Sequence, residues 1–234
     1  MSSRNATARG GACSAGQAGR TLGNRYEDQS GQDAVVDGDE ARTDGVSVGV
    51  ILGFPDDIAA ELQRWRASFG DPMAGVIPAH ITLITTTPTQ DWEATRRHVR
   101  EVARCQRPFM VTIAGTGTFR PVSPVVFIRV EDGFEHCVDL HRRLQRGPLH
   151  RELPFAYHPH VTIAHDVPPE SLDEAETALK NYKATFPVVS MGLYEHDADG
   201  IWQLREELDF GTETNNDAGT PFTDAASDTS TDAG

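Results

Sequence analysis

The 234-residue chain has few cysteines and no long apolar run. Its three cysteines, Cys13, Cys105 and Cys137, show no CxxC or other paired spacing. This pattern argues against a disulfide framework or a zinc ribbon and favours a reducing compartment. No apolar run approaches the length of a membrane span, and the small, polar N-terminal residues lack the apolar region of a signal peptide. We therefore expect a cytoplasmic protein with no membrane partner.

Large apolar side chains are scarce at both ends of the chain. Residues 1–45 consist mainly of Gly, Ser, Ala, Asp and Arg, and residues 211–234 have a similar small, polar composition without any basic residue. Such segments cannot bury enough apolar surface to offset the entropy lost on ordering. We predict a disordered tail over 1–45, one folded domain over 46–210 and a disordered acidic tail over 211–234.

Positive charge is also limited. The formal net charge is −14, and the segment between the two tails has 16 basic and 23 acidic side chains. High affinity for duplex nucleic acid depends on many Lys and Arg contacts to phosphates, so duplex DNA is not an expected partner. A small or single-stranded phosphate substrate is still compatible with this charge.

Between the tails, strand and helix patterns alternate. Strands are predicted at 46–54, 80–87, 108–119, 123–130, 155–165, 185–196 and 201–210, and helices at 55–70, 89–106, 133–147 and 168–183. Ser171 and Glu174 have capping-box spacing at the start of the last helix. The order strand, helix, strand, helix, strand occurs twice, one copy after the other. This repetition predicts a duplicated α+β unit.

The third element of each copy contains the same short motif. HITL begins at His80 and HVTI begins at His160, 80 residues later. Residues two apart in a strand share a face, so each histidine should lie beside the threonine that follows it, Thr82 or Thr162. If the two copies are related by an approximate twofold axis, these polar faces would meet across a cleft.

Two imidazoles and two hydroxyls in one cleft suit phosphodiester chemistry without a metal. Free histidine titrates at about pH 6.5, so a neutral and a protonated ring can coexist near neutrality. The neutral ring can accept a proton from the nucleophile while the charged ring protonates the leaving oxygen. Threonine hydroxyls can donate hydrogen bonds to the non-bridging oxygens. The residues therefore predict in-line attack on a phosphodiester.

The paired motifs and the Pro159-His160 dipeptide resemble those of the two-histidine (2H) phosphoesterase superfamily, also called the 2′-5′ RNA ligase-like or LigT-like family. The resemblance covers about residues 46–210. It implies an α+β fold of two pseudosymmetric lobes, each an antiparallel sheet with outer helices, around a central cleft. It also implies a cyclic phosphodiesterase that opens 2′,3′-cyclic phosphates of RNA ends or nucleotides without a cofactor. The reverse reaction would form 2′-5′ RNA linkages, and we expect a monomer.

Carried over to this sequence, the resemblance makes His80 and His160 the acid–base pair. In hydrolysis His160 would be the base and His80 the acid. Thr82 and Thr162 would bind the phosphate. His165 stands where many family members have an arginine, which makes it a candidate substrate contact.

Three further residues are candidate substrate contacts, although each also suits a core or rim position. Phe119 and Arg120 follow the glycine-rich end of a strand, where family members often place substrate-contacting groups. Tyr157 precedes the second motif by three residues and could stack on a base.

Two alternative functions compete with the phosphodiesterase. His158, His160 and His165, with Asp166, could instead hold a metal ion, but this would leave the first motif unexplained. A nucleotide- or RNA-binding module of the same fold would keep the cleft without turnover. The arginines at positions 96–107 and 142–151 are interpreted as solvated surface charges.

Overall fold

The computed structural model describes residues 46–196 and 202–211. Within these ranges the chain forms eight strands and four α-helices. The strands are β1 Val46–Leu52, β2 Ile81–Thr89, β3 Phe109–Thr118, β4 Val125–Asp132, β5 His160–His165, β6 Lys183–Val188, β7 Ser190–His196 and β8 Trp202–Asp209. The helices are α1 Asp56–Ser68, α2 Trp92–Arg104, α3 Phe134–Leu144 and α4 Pro169–Ala178. The tail predicted over 1–45, and all of the tail predicted over 211–234 except Gly211, lie outside the described residues.

The strands form two antiparallel four-stranded sheets, which confirms the predicted α+β class. Sheet A has the order β2-β1-β7-β8, and sheet B has the order β5-β4-β3-β6. The two motif-bearing strands, β2 and β5, are therefore the edge strands of their sheets. They contact each other, so the sheets meet at these edges.

The sheets do not follow the two halves of the sequence, and this corrects the prediction of two units in succession. The repeated element order is present, but β3 pairs with β4 and lies in sheet B. The predicted strand 185–196 is two strands, β6 in sheet B and β7 in sheet A, separated by the exposed Val189. Sheet A thus combines the first two strands with the last two, because long-range pairing rather than chain order determines sheet membership.

The helices also connect the first half of the chain with the second half. α1 contacts β5, and α3 contacts β2, so these two helices each precede one motif strand and pack on the other. One continuous hydrophobic cluster includes apolar residues of both sheets, such as Val50, Ile81, Val126 and Val161. Burial of this shared core is the main driving force that holds the two sheets together.

The start of α4 differs from the prediction. The helix begins at Pro169, and its N-cap residue Pro168 makes no side-chain capping bond. Ser171 therefore lies within the first turn, and its backbone N–H donates to the Pro168 carbonyl at 2.9 Å. The fixed φ of Pro169 is already helical, so the helix begins ahead of the predicted capping box.

Buried polar groups hold the segment between α1 and β2. Arg66 and Asp71, 5% and 6% exposed, form an ion pair with an Nε to Oδ2 distance of 2.9 Å. Arg66 Nη1 also donates to the Ile77 carbonyl at 2.6 Å, and the Asp71 carboxylate accepts from the Met73 backbone N–H at 2.8 Å. The Gln63 side chain accepts from the Ala79 backbone N–H at 3.0 Å. This network fixes the backbone that leads into the first motif.

Within the described ranges, none of the helices has the length and apolar character needed to cross a membrane.

We predict that Asp71→Ala lowers the free energy of unfolding by about 3–5 kcal/mol, because the Arg66 guanidinium would be left buried without its counter-ion. Urea denaturation measures the effect. The matched control is Glu101→Ala, which breaks an exposed ion pair with Arg104 and should cost less than about 1 kcal/mol. Equal losses in the two variants would contradict the structural role of the buried pair.

Candidate active site

The two motif histidines are oriented in the same way. His80 Nδ1 is 2.8 Å from the Pro78 carbonyl oxygen, and His160 Nδ1 is 2.7 Å from the His158 carbonyl oxygen. A carbonyl can only accept, so Nδ1 carries the hydrogen in both rings. In the neutral ring the lone pair is then on Nε2, which is the atom that can exchange a proton with a substrate. Each motif thus fixes the tautomer of its own imidazole through the residue two positions earlier.

Both motif strands contain an irregularity after the threonine. In β2, Thr82 pairs with Ile51, and Ile84, two residues later, pairs with Val50, the residue next to Ile51. In β5, Thr162 pairs with Phe127, and Ala164, two residues later, pairs with Val126. One residue in each strand, Leu83 or Ile163, is therefore an extra residue, as in a β-bulge.

The bulges change which residues face the cleft. Two consecutive residues after each threonine are buried, and the next residue, Thr85 or His165, is again partly exposed. His165 is paired with Val125, which packs with Phe119 and Phe127 on the cleft side of sheet B. His165 therefore lies on the same face as His160 and Thr162. Its Nε2 is 3.5 Å from the Asp166 carboxylate.

Thr82 is the second residue of β2, which begins directly after His80, and Thr162 is the third residue of β5, which begins at His160. Thr82 and Thr162 are partly exposed, whereas the aliphatic residues that flank them are buried. The two hydroxyl-bearing positions are thus on the open faces of adjoining edge strands. This arrangement can present two imidazoles and two hydroxyls to a bound phosphate.

Three side chains from the second half of the chain donate hydrogen bonds to carbonyls of β2. The Tyr157 hydroxyl donates to Thr82 at 2.8 Å, His141 Nδ1 to Leu83 at 2.7 Å and Arg151 Nη1 to Thr86 at 3.1 Å. Tyr157 and His141 also stack on each other, with ring centroids 3.9 Å apart and an interplanar angle of 6°. Burial raises the pKa of the Tyr157 phenol well above its ordinary value, which keeps the hydroxyl protonated as a donor. We name these three residues the β2 clamp.

The structure places the other predicted contacts in different surroundings. Tyr157 belongs to the β2 clamp, where His141 covers one face of its ring. Phe119 is 2% exposed and meets His160 edge to face at 4.9 Å. Arg120 forms ion pairs with α4, to Asp173 at 2.6 Å and Glu176 at 2.7 Å. In this arrangement Phe119 supports the His160 ring, and Arg120 holds α4.

Two residues of this region were not predicted from the sequence. One is His141, which lies within α3 and belongs to neither of the two His-x-Thr motifs. Trp202, at the start of β8, lies with its ring centroid 6.2 Å from that of His80. Gly49, inside β1, is a sequence signal for such a contact, because a glycine inside a strand often marks a close approach by another group.

Among the described residues, no group of three or more His, Cys, Asp and Glu side chains is arranged to hold a metal ion. Cys137, the buried free cysteine of α3, is an unsuitable ligand or nucleophile, because burial raises the pKa of its thiol to about 12.

The sequence matches the model of the 2′-5′ RNA ligase superfamily over residues 54–200, which is more than half of the chain. The chain belongs to this superfamily. Similar proteins include one from Bacillus mycoides strain KBAB4, 26% identical over 179 residues that cover 73% of this chain and 100% of the relative. Another, from Bacillus licheniformis strain ATCC 14580, is 27% identical over 168 residues, with 70% and 98% covered. Both are named "Putative phosphoesterase".

Two solved structures share the fold of this chain. Escherichia coli LigT, crystallised with 3′-AMP, superimposes with a TM-score of 0.53 at 18% identity, covering 72% of this chain and 99% of LigT. TT0787 of Thermus thermophilus superimposes with a TM-score of 0.51 at 21% identity, covering 71% and 99%. The chain therefore has the 2H phosphoesterase fold, and its relatives indicate an activity of the phosphoesterase type.

The β2 clamp makes a prediction about pH. Burial lowers the pKa of His141, opposed in part by the hydrogen bond to Leu83. Because an unfolded histidine titrates at about pH 6.5, the unfolded chain takes up this proton first as the pH falls. The contribution of neutral His141 is thus fully present above about pH 6.5 and is lost below it. Urea denaturation at pH 7.5 and 5.0 should show a smaller loss of stability in His141→Gln than in the native chain.

The control for this comparison is His150→Gln, since His150 is exposed and its Nδ1 donates to the nearby Gln145 carbonyl. This variant should lose stability with falling pH as the native chain does. An unchanged pH dependence in His141→Gln would show that the buried ring is not the group responsible.

Proposed function

We propose that this chain is a metal-independent phosphodiesterase that opens 2′,3′-cyclic phosphates of RNA ends or nucleotides. The observation that carries the proposal is the matched pair of Nδ1-to-carbonyl hydrogen bonds, at 2.8 Å and 2.7 Å, made by His80 directly before β2 and by His160 at the start of β5, two edge strands that contact each other. Two imidazoles with the same tautomer, one from each sheet, suit attack and departure on opposite sides of one phosphorus.

The proposed reaction consumes one water. His160 in its neutral form accepts a proton from the water at Nε2 while the water oxygen bonds to phosphorus. Protonated His80 donates its Nε2 proton to the ribose oxygen as the bond from phosphorus to that oxygen breaks. The product is a phosphomonoester with one free ribose hydroxyl, and proton transfer through solvent restores both rings.

The remaining residues support this reaction by binding the phosphate. The Thr82 and Thr162 hydroxyls would donate to the non-bridging oxygens, where negative charge accumulates. A half-buried His165 on the same face would add a hydrogen bond or a positive charge to this oxyanion site. Run in reverse, with a ribose hydroxyl in place of water, the same groups would form a 2′-5′ linkage.

The comparisons support a nucleotide-sized substrate. LigT has been crystallised with 3′-AMP, with ATP and with NADP+, and the last two structures superimpose with TM-scores of 0.50 each. A fold that accommodates these molecules in a relative is compatible with a cyclic nucleotide or an RNA end in this chain. The net charge of −14 favours such a short substrate over a long duplex.

The test is turnover of 2′,3′-cyclic AMP by the purified full chain in excess EDTA. We expect activity in EDTA, and we expect His80→Ala and His160→Ala each to lower kcat/KM by about 10²–10⁴-fold, the usual contribution of a general acid or base. Thr162→Val should lower it by about 100-fold or more, since a hydrogen-bond donor to the oxyanion is lost. His150→Ala is the control and should match the native chain.

Two outcomes would overturn the proposal in favour of the alternatives. Binding of 2′,3′-cyclic AMP and of a cyclic-phosphate-ended RNA without turnover of either would indicate the non-catalytic module. Loss of activity in EDTA, with recovery on adding a divalent metal, would indicate a metal hydrolase. If the native chain is active, a panel of cyclic mononucleotides, RNA ends and ADP-ribose cyclic phosphate then ranks the substrates by kcat/KM.

A further inference from the structure

The cleft face of sheet A carries an aromatic cluster beside His80. Val48, Val50 and Leu52 of β1 point into the core, so Gly49 and Ile51 lie on the opposite face. Thr82 is on this face too, because it pairs with Ile51. The cleft face of sheet A thus continues from the first motif across β1 towards β7 and β8.

Trp202 reaches back across this face from β8. A Cβ at Gly49 would clash with both Cη2 and Cζ3 of the indole, so the Trp202 ring covers the bare backbone of Gly49. Its ring centroid is 5.8 Å from that of Tyr194, 5.9 Å from that of His196 and 6.2 Å from that of His80. Trp202 is only partly buried, so a portion of the indole is accessible to a ligand.

The aromatic rings around His160, on sheet B, are packed differently from those around His80. On sheet B, His160 is packed against Phe119 at 4.9 Å and Phe127 at 5.2 Å, and these two rings pack on each other at 4.4 Å. Phe119 and Phe127 are 2% and 5% exposed, so neither offers a face to a ligand. Among the described Phe and Trp rings that lie beside a motif histidine, the one with accessible surface is therefore Trp202, beside His80.

We propose that Trp202, seated on Gly49 beside His80, is the stacking platform for the nucleobase of a nucleotide or RNA-end substrate. In a 2′,3′-cyclic phosphate one ribose separates the phosphate from the base, so a phosphate held between the motifs places the base on the adjoining surface. An indole suits this ligand because every base has a π-face, and stacking of one base contributes about 1–3 kcal/mol. This inference rests on the proposed function for the position of the phosphate.

The platform also assigns an orientation to the substrate. The base would lie over sheet A, on the side of the acid His80, and the attacking water would enter on the side of His160. Because stacking does not read hydrogen-bond patterns, Trp202 should favour large bases over small ones without strict sequence specificity. A phosphate ester that lacks a base should gain nothing from it.

The test uses Trp202 as its own reporter. The chain has three tryptophans, and Trp65→Phe with Trp92→Phe leaves Trp202 as the sole indole. We expect saturable quenching of its fluorescence by 3′-AMP and none by ribose 5-phosphate. In the otherwise native chain, Trp202→Ala should weaken 3′-AMP binding by about 5- to 150-fold, the equivalent of the stacking energy. Binding of inorganic phosphate should not change.

Two further variants separate stacking from folding. Trp202→Phe keeps an aromatic ring and should retain most of the affinity for 3′-AMP. Gly49→Ala leaves the indole in the chain but puts a methyl group where the ring lies, so it should raise KM for 2′,3′-cyclic AMP with kcat nearly unchanged. The matched control is Trp65→Phe, on α1, where Trp65 stacks on Phe69. Thermal melts by circular dichroism check that each variant is folded.

The outcomes distinguish this inference from the proposed function. Turnover with an unchanged KM in Trp202→Ala would overturn the platform and leave the phosphodiesterase standing. Quenching of Trp202 by 3′-AMP in a chain that turns over no cyclic phosphate would overturn the phosphodiesterase and leave the platform standing. Equal loss of phosphate and 3′-AMP binding in a folded Trp202→Ala would mean that the indole only supports the site, and this too would overturn the platform.

Discussion

The candidate site depends on how the backbone carbonyls at the outer edge of β2 find hydrogen-bond donors. An edge strand presents backbone carbonyls that no neighbouring strand can pair, and in a cleft they would be poorly solvated. The β2 clamp of Tyr157, His141 and Arg151 satisfies three of them from the other half of the chain. Together with the shared hydrophobic core, these bonds keep β2 beside β5, and therefore keep the first motif beside the second.

The two halves of the site are alike in backbone and unlike in surroundings. Each motif orients its histidine through the carbonyl two residues earlier, and each strand bulges after its threonine. Around this shared frame, sheet B is closed by buried phenylalanines, whereas sheet A leaves an indole partly accessible. The shared backbone geometry thus orients both candidate acid–base groups in the same way, and the side chains around them place a partly accessible indole beside His80 and buried phenylalanines beside His160.

Much of the fold could be predicted because it is local. The periodicity of 133–147 predicted α3, and the repeated His-x-Thr pattern predicted two half-buried strands. The remainder depends on distant pairing. The segment 185–196 has strand character throughout, and nothing local shows that its two parts belong to different sheets on either side of Val189. The bulges that bring His165 back to the cleft face are similarly invisible in an alternating pattern, since they depend on the partner strand. The candidate residues His80, Thr82, His160 and Thr162 were proposed from their chemistry and repeated spacing, whereas their neighbours His141 and Trp202 were identified from the tertiary structure.

The strand order of sheet A has a consequence for how the protein is made. Its motif strand β2 and the adjoining β1 are synthesised early, but sheet A has only these two strands available until β7 and β8 have been synthesised. A two-stranded ribbon is only marginally stable in water. Sheet B is complete by β6, so it can form first and offer its apolar surface to α1 and β2. The candidate site can therefore be complete only when β7 and β8 have joined the sheet to which β2 belongs.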